Sequence, residues 1–204
     1  NVSLADYLAR MQEGQDKVYF ITADNHNAAK ASPHLEVFRK KGIEVLLLSD
    51  AIAEWVTGYL QEFDGRKFVD VGRGQLDLGD IDEADEEDID KLNESNKELI
   101  DRISGVLEGD VQEVRATNRL TESPACLVID EYDMGKQMRQ VREASGQTVP
   151  DSQPIFEINP DHTLLKRLDS ETDEQRFGDL VRVLFDQASL AEGRQPNDPG
   201  AFVQ

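Results

Sequence analysis

Three short apolar runs alternate with helix-like segments in the first 75 residues of the chain. The runs lie at residues 18–21, 45–48 and 68–71, and the first of them is rich in β-branched and aromatic side chains. Consecutive parallel strands need a crossover of a dozen or more residues, usually a helix. The order therefore predicts an α/β unit of βαβαβ type with a small, mainly parallel sheet. The unbroken run at 45–48 predicts a strand covered on both faces.

Two helices are predicted between these strands. Residues 25–41 have helical spacing and stop at Gly42, a residue typical of helix C-termini. Pro33 is placed where it can open the main part of this helix, because proline is tolerated in the first turn. Asp50 is predicted to cap a second helix that runs through Tyr59.

An acidic stretch follows the predicted sheet. Between Asp77 and Asp90 the sequence has nine acidic residues and no basic one. This composition is typical of a solvated linker, which we place at residues 76–88, between a domain at 1–75 and a second domain at 89–204. A calcium site is the alternative, but the stretch lacks the ordered ligand spacing of an EF-hand loop.

The second half of the chain predicts an α+β domain with a three-stranded sheet and long amphipathic helices. Strand-like patterns lie at residues 111–117, 125–130 and 155–158, and helix-like patterns at 85–106, 133–144 and 162–168. The most regular helix covers residues 172–191. Its apolar stripe is wide enough to face its own domain and a further helix, either the one announced by Asp198 and Pro199 or one from a second chain. The stripe includes Phe177, Leu180, Val181, Leu184, Phe185 and Ala188.

Charge and cysteine content narrow the classes of partner. The formal net charge is −20, which disfavours nucleic acid and anionic membrane surfaces as partners. The sequence has no apolar run of the roughly 18 residues that span a bilayer.

The single Cys126 excludes an internal disulfide and is compatible with a reducing cytoplasm, where we expect the protein. Because the chain starts at Asn1 without Met, we expect it to be a piece of a longer protein.

The sequence offers few candidates for chemistry. It contains no Walker, dinucleotide-binding, HExxH, GxSxG or CxxC pattern, and its three histidines are scattered, so we expect no catalytic residues and no metal site. Cys126 is interpreted as a small buried hydrophobe, and Asn159 and Asp161 as caps of the helix that follows. The alternative is a small α/β enzyme with a site at the strand ends of residues 18–75. Its candidate residues are Asp24, His26 and Asp50.

Two features favour binding over catalysis. Met134, Met138 and Val141 fall at i, i+4 and i+7 of a predicted helix, and flexible methionines suit a surface that fits several partners. Trp55, the only tryptophan, could supply a large contact area with few rotamers. The alternative for each is packing inside its own domain.

Six stretches of the chain carry a resemblance to a known family. They are residues 19–22 (YFIT), 32–36 (SPHLE), 41–50 (KGIEVLLLSD), 54–55 (EW), 119–125 (RLTESPA) and 158–162 (INPDH). Together they resemble the middle and C-terminal domains of the ninety-kilodalton heat-shock chaperones. Their order and spacing match this family over essentially the whole chain, and they are most similar to its bacterial HtpG members.

The resemblance implies the end of a chaperone middle domain followed by a C-terminal dimerisation domain. ATP and magnesium would then bind the parent chaperone upstream of Asn1, leaving no cofactor and no ATPase site in these residues. Implied partners are unfolded or partly folded client proteins, co-chaperones and a second copy of the chain. The helix at 172–191 matches the first of two pairing helices, and residues 198–204 match only the start of the second. Client contact would involve Trp55, Val56, Tyr59, Met134, Met138 and Val141, with Arg142 standing where another apolar residue is expected.

Overall fold

The computed structural model describes residues 3–50, 52–76, 78, 86–133, 139, 141–142, 144–147, 152–194 and 200, with only the backbone of residues 54, 55, 86 and 87. The helices are α1 (Leu4–Leu8), α2 (His26–Ala31), α3 (Glu36–Lys41), α4 (Ala53–Tyr59), α5 (Glu86–Ser95), α6 (Lys97–Val106), α7 (Thr163–Asp169) and α8 (Glu174–Ala191). The strands are β1 (Lys17–Thr22), β2 (Leu46–Leu48), β3 (Glu62–Phe63), β4 (Arg66–Asp70), β5 (Glu113–Ala116), β6 (Ala125–Val128) and β7 (Ile155–Ile158).

The first sheet, with the strand order β2-β1-β4-β3, organises what we call the N-terminal unit (residues 3–76 and Leu78). β1 is parallel to both β2 and β4, which confirms the predicted βαβαβ unit. β3 pairs antiparallel with β4 and was not predicted, because a two-residue strand carries no periodic signal. The expectation that the run at 45–48 is covered on both faces is wrong. β2 lies at the edge of the sheet, and its residues are only partly buried.

The predicted helix at 25–41 is present but divided. α2 ends at Ala31, Pro33–Leu35 form a turn of 3-10 helix, and α3 continues to Lys41. Gly42 then takes a positive φ of 68°, a conformation that favours glycine, and ends the helix as predicted.

The capping prediction for Asp50 is wrong. α4 begins at Ala53 without a side-chain cap, and its preceding residue, Ile52, already has helical dihedrals. The Asp50 carboxylate instead accepts a hydrogen bond of 3.1 Å from the Ile52 backbone N–H, which forms a turn before the helix.

The second sheet, with the strand order β5-β7-β6, organises the C-terminal unit (the described residues from 86 to 194) and confirms the predicted three strands. β7 is central, parallel to β5 and antiparallel to β6. α6 and α8 pack against this sheet and bury the apolar side of the unit. The core includes Ile103, Leu127, Phe156, Leu165, Phe177 and Val181.

Two local predictions for the C-terminal unit have different outcomes. Cys126 is buried, and burial raises the pKa of its thiol well above the ordinary value, which confirms its interpretation as a packed hydrophobe. The predicted caps of α7 are wrong: the side chain of His162 caps this helix, with Nδ1 accepting from the Leu164 N–H at 3.2 Å. Asn159 instead holds the preceding turn by accepting from the Asp161 N–H at 3.1 Å.

The boundary between the units stays a prediction. Leu78 is buried in the core of the N-terminal unit, and α5 begins at Glu86, inside the proposed linker. Residues 77 and 79–85, which hold much of the acidic stretch, lie outside the described residues.

Candidate functional site

An apolar row lies exposed along α4 and the residue before it, and we call it the α4 row (Ile52, Val56 and Tyr59). These side chains are spaced at i, i+4 and i+7, so they share one face, and they are 65%, 49% and 84% exposed. The backbone of Trp55 belongs to the same helix, but its side chain lies outside the described residues. The structure therefore places two of the three predicted contact residues of this helix, Val56 and Tyr59, at the surface.

The predicted methionine helix is described only in part. Met134 and Met138 lie outside the described residues, whereas Arg139, Val141, Arg142 and Ala144 have helical backbone. Val141 is half exposed, and its contact role stays a prediction.

α8 has two different apolar faces, which revises the predicted pairing residues. Phe177, Val181, Leu184 and Ala188 are buried inside the C-terminal unit, so this face is not available to a second chain. Phe185 is partly buried, and its ring meets that of Phe156 edge-on at a centroid distance of 5.8 Å. The helical period had suggested one wide stripe, and the fold has used most of it for its own core.

The face of α8 that remains open carries what we call the α8 outer row (Leu180, Val183 and Leu190). Each of these side chains is between 41% and 46% exposed. Leu180 was among the predicted pairing residues, whereas Val183 and Leu190 were not. The signal that could have found them is their place on the side of the helix opposite the buried Val181 and Ala188.

Between the two units lies a buried polar junction that the sequence did not predict. Arg119, fully buried in the loop between β5 and β6, donates hydrogen bonds to the carbonyl oxygens of Val71 and, at 2.9 Å, Gly74 in the other unit. Its Nε lies 2.8 Å from Glu157 Oε2. One guanidinium therefore contacts both units at once.

Glu157 lies on the central strand β7 between two arginines. Arg115 donates from Nε and Nη2 to Glu157 Oε1, at 3.0 and 2.7 Å, while Arg119 approaches the other carboxylate oxygen. Burial alone would raise the pKa of Glu157, but the two positive charges outweigh it and hold that pKa below its ordinary value. The carboxylate is therefore ionised at neutral pH and can anchor Arg119.

Glu36, at the start of α3, makes a second connection between the units. Its Oε2 accepts from the backbone N–H groups of Thr121 and Glu122, at 2.6 and 2.7 Å, and its carboxylate also accepts from the N–H and hydroxyl of Ser123. Burial opposes ionisation, but these hydrogen bonds outweigh it, so the pKa of Glu36 lies below its ordinary value. A charged side chain of one unit is thus held by the backbone of the other.

Backbone pairing and a histidine complete the junction. Ile129, just after β6, exchanges hydrogen bonds with the strap at residues 72–74: Gly74 N–H donates to Ile129 O at 2.9 Å, and Ile129 N–H donates to Gly72 O at 3.1 Å. Gly74 has a φ of 59°, and a Cβ there would lie 3.3 Å from Glu131 Cβ, so a side chain would strain this crossing. The buried His34 places Nε2 3.1 Å from Glu192 Oε1, just past the end of α8.

A cavity of about 450 Å³ lies beside the junction, at the carboxyl end of β1. Its walls are mainly apolar and come from both units, with Ile21, Leu127 and Ala191 among them. Of the three candidates for an α/β enzyme site, Asp24 lines this cavity, whereas the described wall includes neither His26 nor Asp50. The structure therefore does not bring the proposed catalytic set together.

The described residues contain neither a membrane-spanning helix nor a candidate metal cluster. Within them, no helix is both long and apolar enough to cross a membrane. The same part of the chain also contains no cluster of three or more histidine, cysteine or acidic side chains suited to a metal ion.

The chain belongs to a family of molecular chaperones. The family model described as Hsp90 protein matches residues 1–204, the whole chain, so this protein is a member of the Hsp90 family. The match confirms the family-level resemblance found in the sequence and the chaperone class that the resemblance implies.

The junction brings together two of the family-like stretches. His34 and Glu36 belong to the stretch at residues 32–36, and Arg119 and Ser123 belong to the stretch at 119–125; the two stretches meet in space. The residues that touch are 85 or more positions apart, so neither periodicity nor local spacing could have predicted their contact.

Proposed function

We propose that these residues form the client-contacting and protomer-pairing part of an ATP-driven chaperone of the bacterial HtpG type. Support comes from the family match and from two apolar rows that lie exposed on separate units, the α4 row and the α8 outer row. Exposed apolar side chains grouped on one face mark interaction surfaces more often than isolated ones do. The first row would hold clients and the second would hold another copy of the chain.

Client contact is assigned to the α4 row, Trp55 and the segment with Met134, Met138 and Val141. Burying a large apolar side chain is worth about 1.5–3 kcal/mol before ordering costs are subtracted. A few such contacts suit a grip near the micromolar range, which corresponds to about −8 kcal/mol. Weak contacts to many unfolded shapes fit a chaperone that must also release its client.

The nucleotide step is assigned to a part of the parent chaperone other than these residues. ATP and magnesium would bind in that other part, and the two units described here would respond by a change of orientation. Co-chaperones are further proposed partners, and the buried thiol of Cys126 suits the reducing cytoplasm in which we place the protein.

Binding to a permanently unfolded client tests the client assignment. Fluorescence anisotropy with reduced, carboxymethylated lactalbumin should give saturable binding near the micromolar range. Met134→Glu combined with Met138→Glu should weaken this binding and leave the melting curve nearly unchanged. Loss of the folded state in this variant would show that the methionines belong to a core. Absence of client binding by the unsubstituted chain would reject client contact altogether.

Molar mass measured by light scattering over a range of concentrations tests the pairing assignment. A rise from the mass of one chain, 22.9 kDa, towards twice that value would support pairing. A constant mass of one chain up to high concentration would count against it.

A further inference from the structure

The loop between β5 and β6 holds the N-terminal unit at two points. Arg119 reaches from this loop to the carbonyl oxygens of Val71 and Gly74. Two residues further on, the loop backbone binds the carboxylate of Glu36. The loop itself is tied to β7 through Glu157, which lies in the centre of the second sheet. The orientation of one unit therefore depends on a loop fixed in the other.

Among the residues of this loop, Arg119 is the one whose substitution should disturb the contact between the units most. Its guanidinium is fully buried, so its removal would take the donor from Val71 O and leave Gly74 O with only the longer bond of 3.3 Å from Arg115. Glu157 would keep one positive partner in place of two. A buried polar or charged group that loses its partner lowers the free energy of unfolding far more than an exposed group does. Lysine could keep the charge, but a single ammonium cannot reproduce the planar fork that reaches three acceptors.

We propose that Arg119 is a positioning residue that fixes the orientation of the N-terminal unit relative to α8. The α4 row belongs to the N-terminal unit and the α8 outer row to the C-terminal unit. Arg119 thereby sets how the client-holding face is presented relative to the pairing face. This consequence rests on the proposed function, whereas the orientation itself does not.

The distance between the two units is the direct measurement. Spin labels at Lys40→Cys on α3 and Lys97→Cys on α6 report it by pulsed electron resonance, because both positions are exposed. A Cys126→Ala background removes the native thiol, and dilution with unlabelled chain suppresses distances between protomers. The doubly labelled chain with Arg119 unchanged should give one narrow distance distribution.

Arg119→Met should widen that distribution by roughly twofold or more, since units without a firm interface move relative to one another by default. Arg119→Lys should give an intermediate width, and circular dichroism should show that the secondary structure is retained in both. Arg102→Met is the matched control. Arg102 stacks on Phe177 at 3.8 Å and donates to Glu171 O, contacts that lie within the C-terminal unit alone.

The outcomes separate positioning from simple stability. If Arg119→Met keeps the narrow distribution, or if Arg102→Met widens it equally, the proposal is wrong. If Arg119→Met does not fold, Arg119→Lys decides: a widened distribution supports the proposal, and an unchanged one shows that Arg119 serves only the fold of its own unit. The test measures only the distance between the units and not client binding. A failure of the proposed function would therefore appear in the anisotropy experiment and not in this one.

Discussion

α4 and α8 both expose a row of apolar side chains, but the two helices are built very differently. α4 has seven residues, begins without a side-chain cap and is followed almost at once by the two-residue strand β3. α8 has 18 residues, is capped by Asp173 and buries a full face in the core of its unit. The same kind of surface thus lies on a weakly supported helix in one unit and on a firmly supported helix in the other.

This difference suits the two proposed tasks. A pairing surface benefits from a rigid helix, because little conformational freedom is then lost when the second copy binds. A surface for unfolded clients benefits from a helix that can adjust, since no single client shape has to be matched. Local stability is therefore expected to be low around the α4 row and high beneath the α8 outer row.

The largest difference should appear in stability. Phe177→Ala removes a fully buried ring from the inner face of α8 and should lower the free energy of unfolding by about 3–5 kcal/mol. Val56→Ala on α4 removes a half-exposed side chain and should change it by less than about 0.5 kcal/mol. Urea unfolding followed by circular dichroism measures both. Equal losses would mean that α4 is supported as firmly as α8.

Pairing should depend on the outer face of α8 and not on its inner face. Leu180→Glu with Val183→Glu should weaken pairing by about 100-fold, because two apolar contacts worth at least 1.5 kcal/mol each are replaced by buried charge. Gln175→Glu is the matched control, since Gln175 is exposed on the same helix but lies on a different face from Leu180. Light scattering would contradict the assignment if both variants paired like the parent.

Client binding should respond to the α4 row by a smaller factor. Val56→Glu with Tyr59→Glu should weaken anisotropy-detected binding of the unfolded client by about tenfold, which corresponds to 1.4 kcal/mol and is consistent with a contact spread over several surfaces. Gln61→Glu adds a charge at an exposed position just after the helix, outside the α4 row, and should bind like the unsubstituted chain. Unchanged binding by the double variant would remove α4 from the client surface.

The sequence predicted the parts of this molecule that depend on local pattern. The three parallel strands of the first sheet, the three strands of the second, and α8 all follow from runs and periods that a few neighbouring residues define. The resemblance to the chaperone family was carried by six stretches and is confirmed at the level of the family. Val56, Tyr59 and Val141, which the resemblance assigned to client contact, lie at the surface, and their contact role stays a prediction.

The sequence could not predict what depends on distant contacts. The stripe on α8 does not say which of its sides the sheet will cover, so Phe177 and Leu180 were grouped together although only the first is buried. Glu36 looked like a helix residue, and its partners at residues 121–123 lie 85 or more positions away. A buried charge such as Arg119 is also rare enough that no composition argument would place it inside.

The smallest expected effect concerns the starts of the two helices. Asp173 caps α8 by accepting from the N–H groups of Gln175 and Arg176 at 3.0 and 3.1 Å, so Asp173→Ala should lower the free energy of unfolding by about 1 kcal/mol. Asp50 makes only a turn before α4, so Asp50→Ala should cost less. Urea unfolding of the two variants side by side measures the difference. If Asp50→Ala proved the more costly, α4 would hold more of the fold's stability than its uncapped start suggests, and its assignment as the adjustable surface would be wrong.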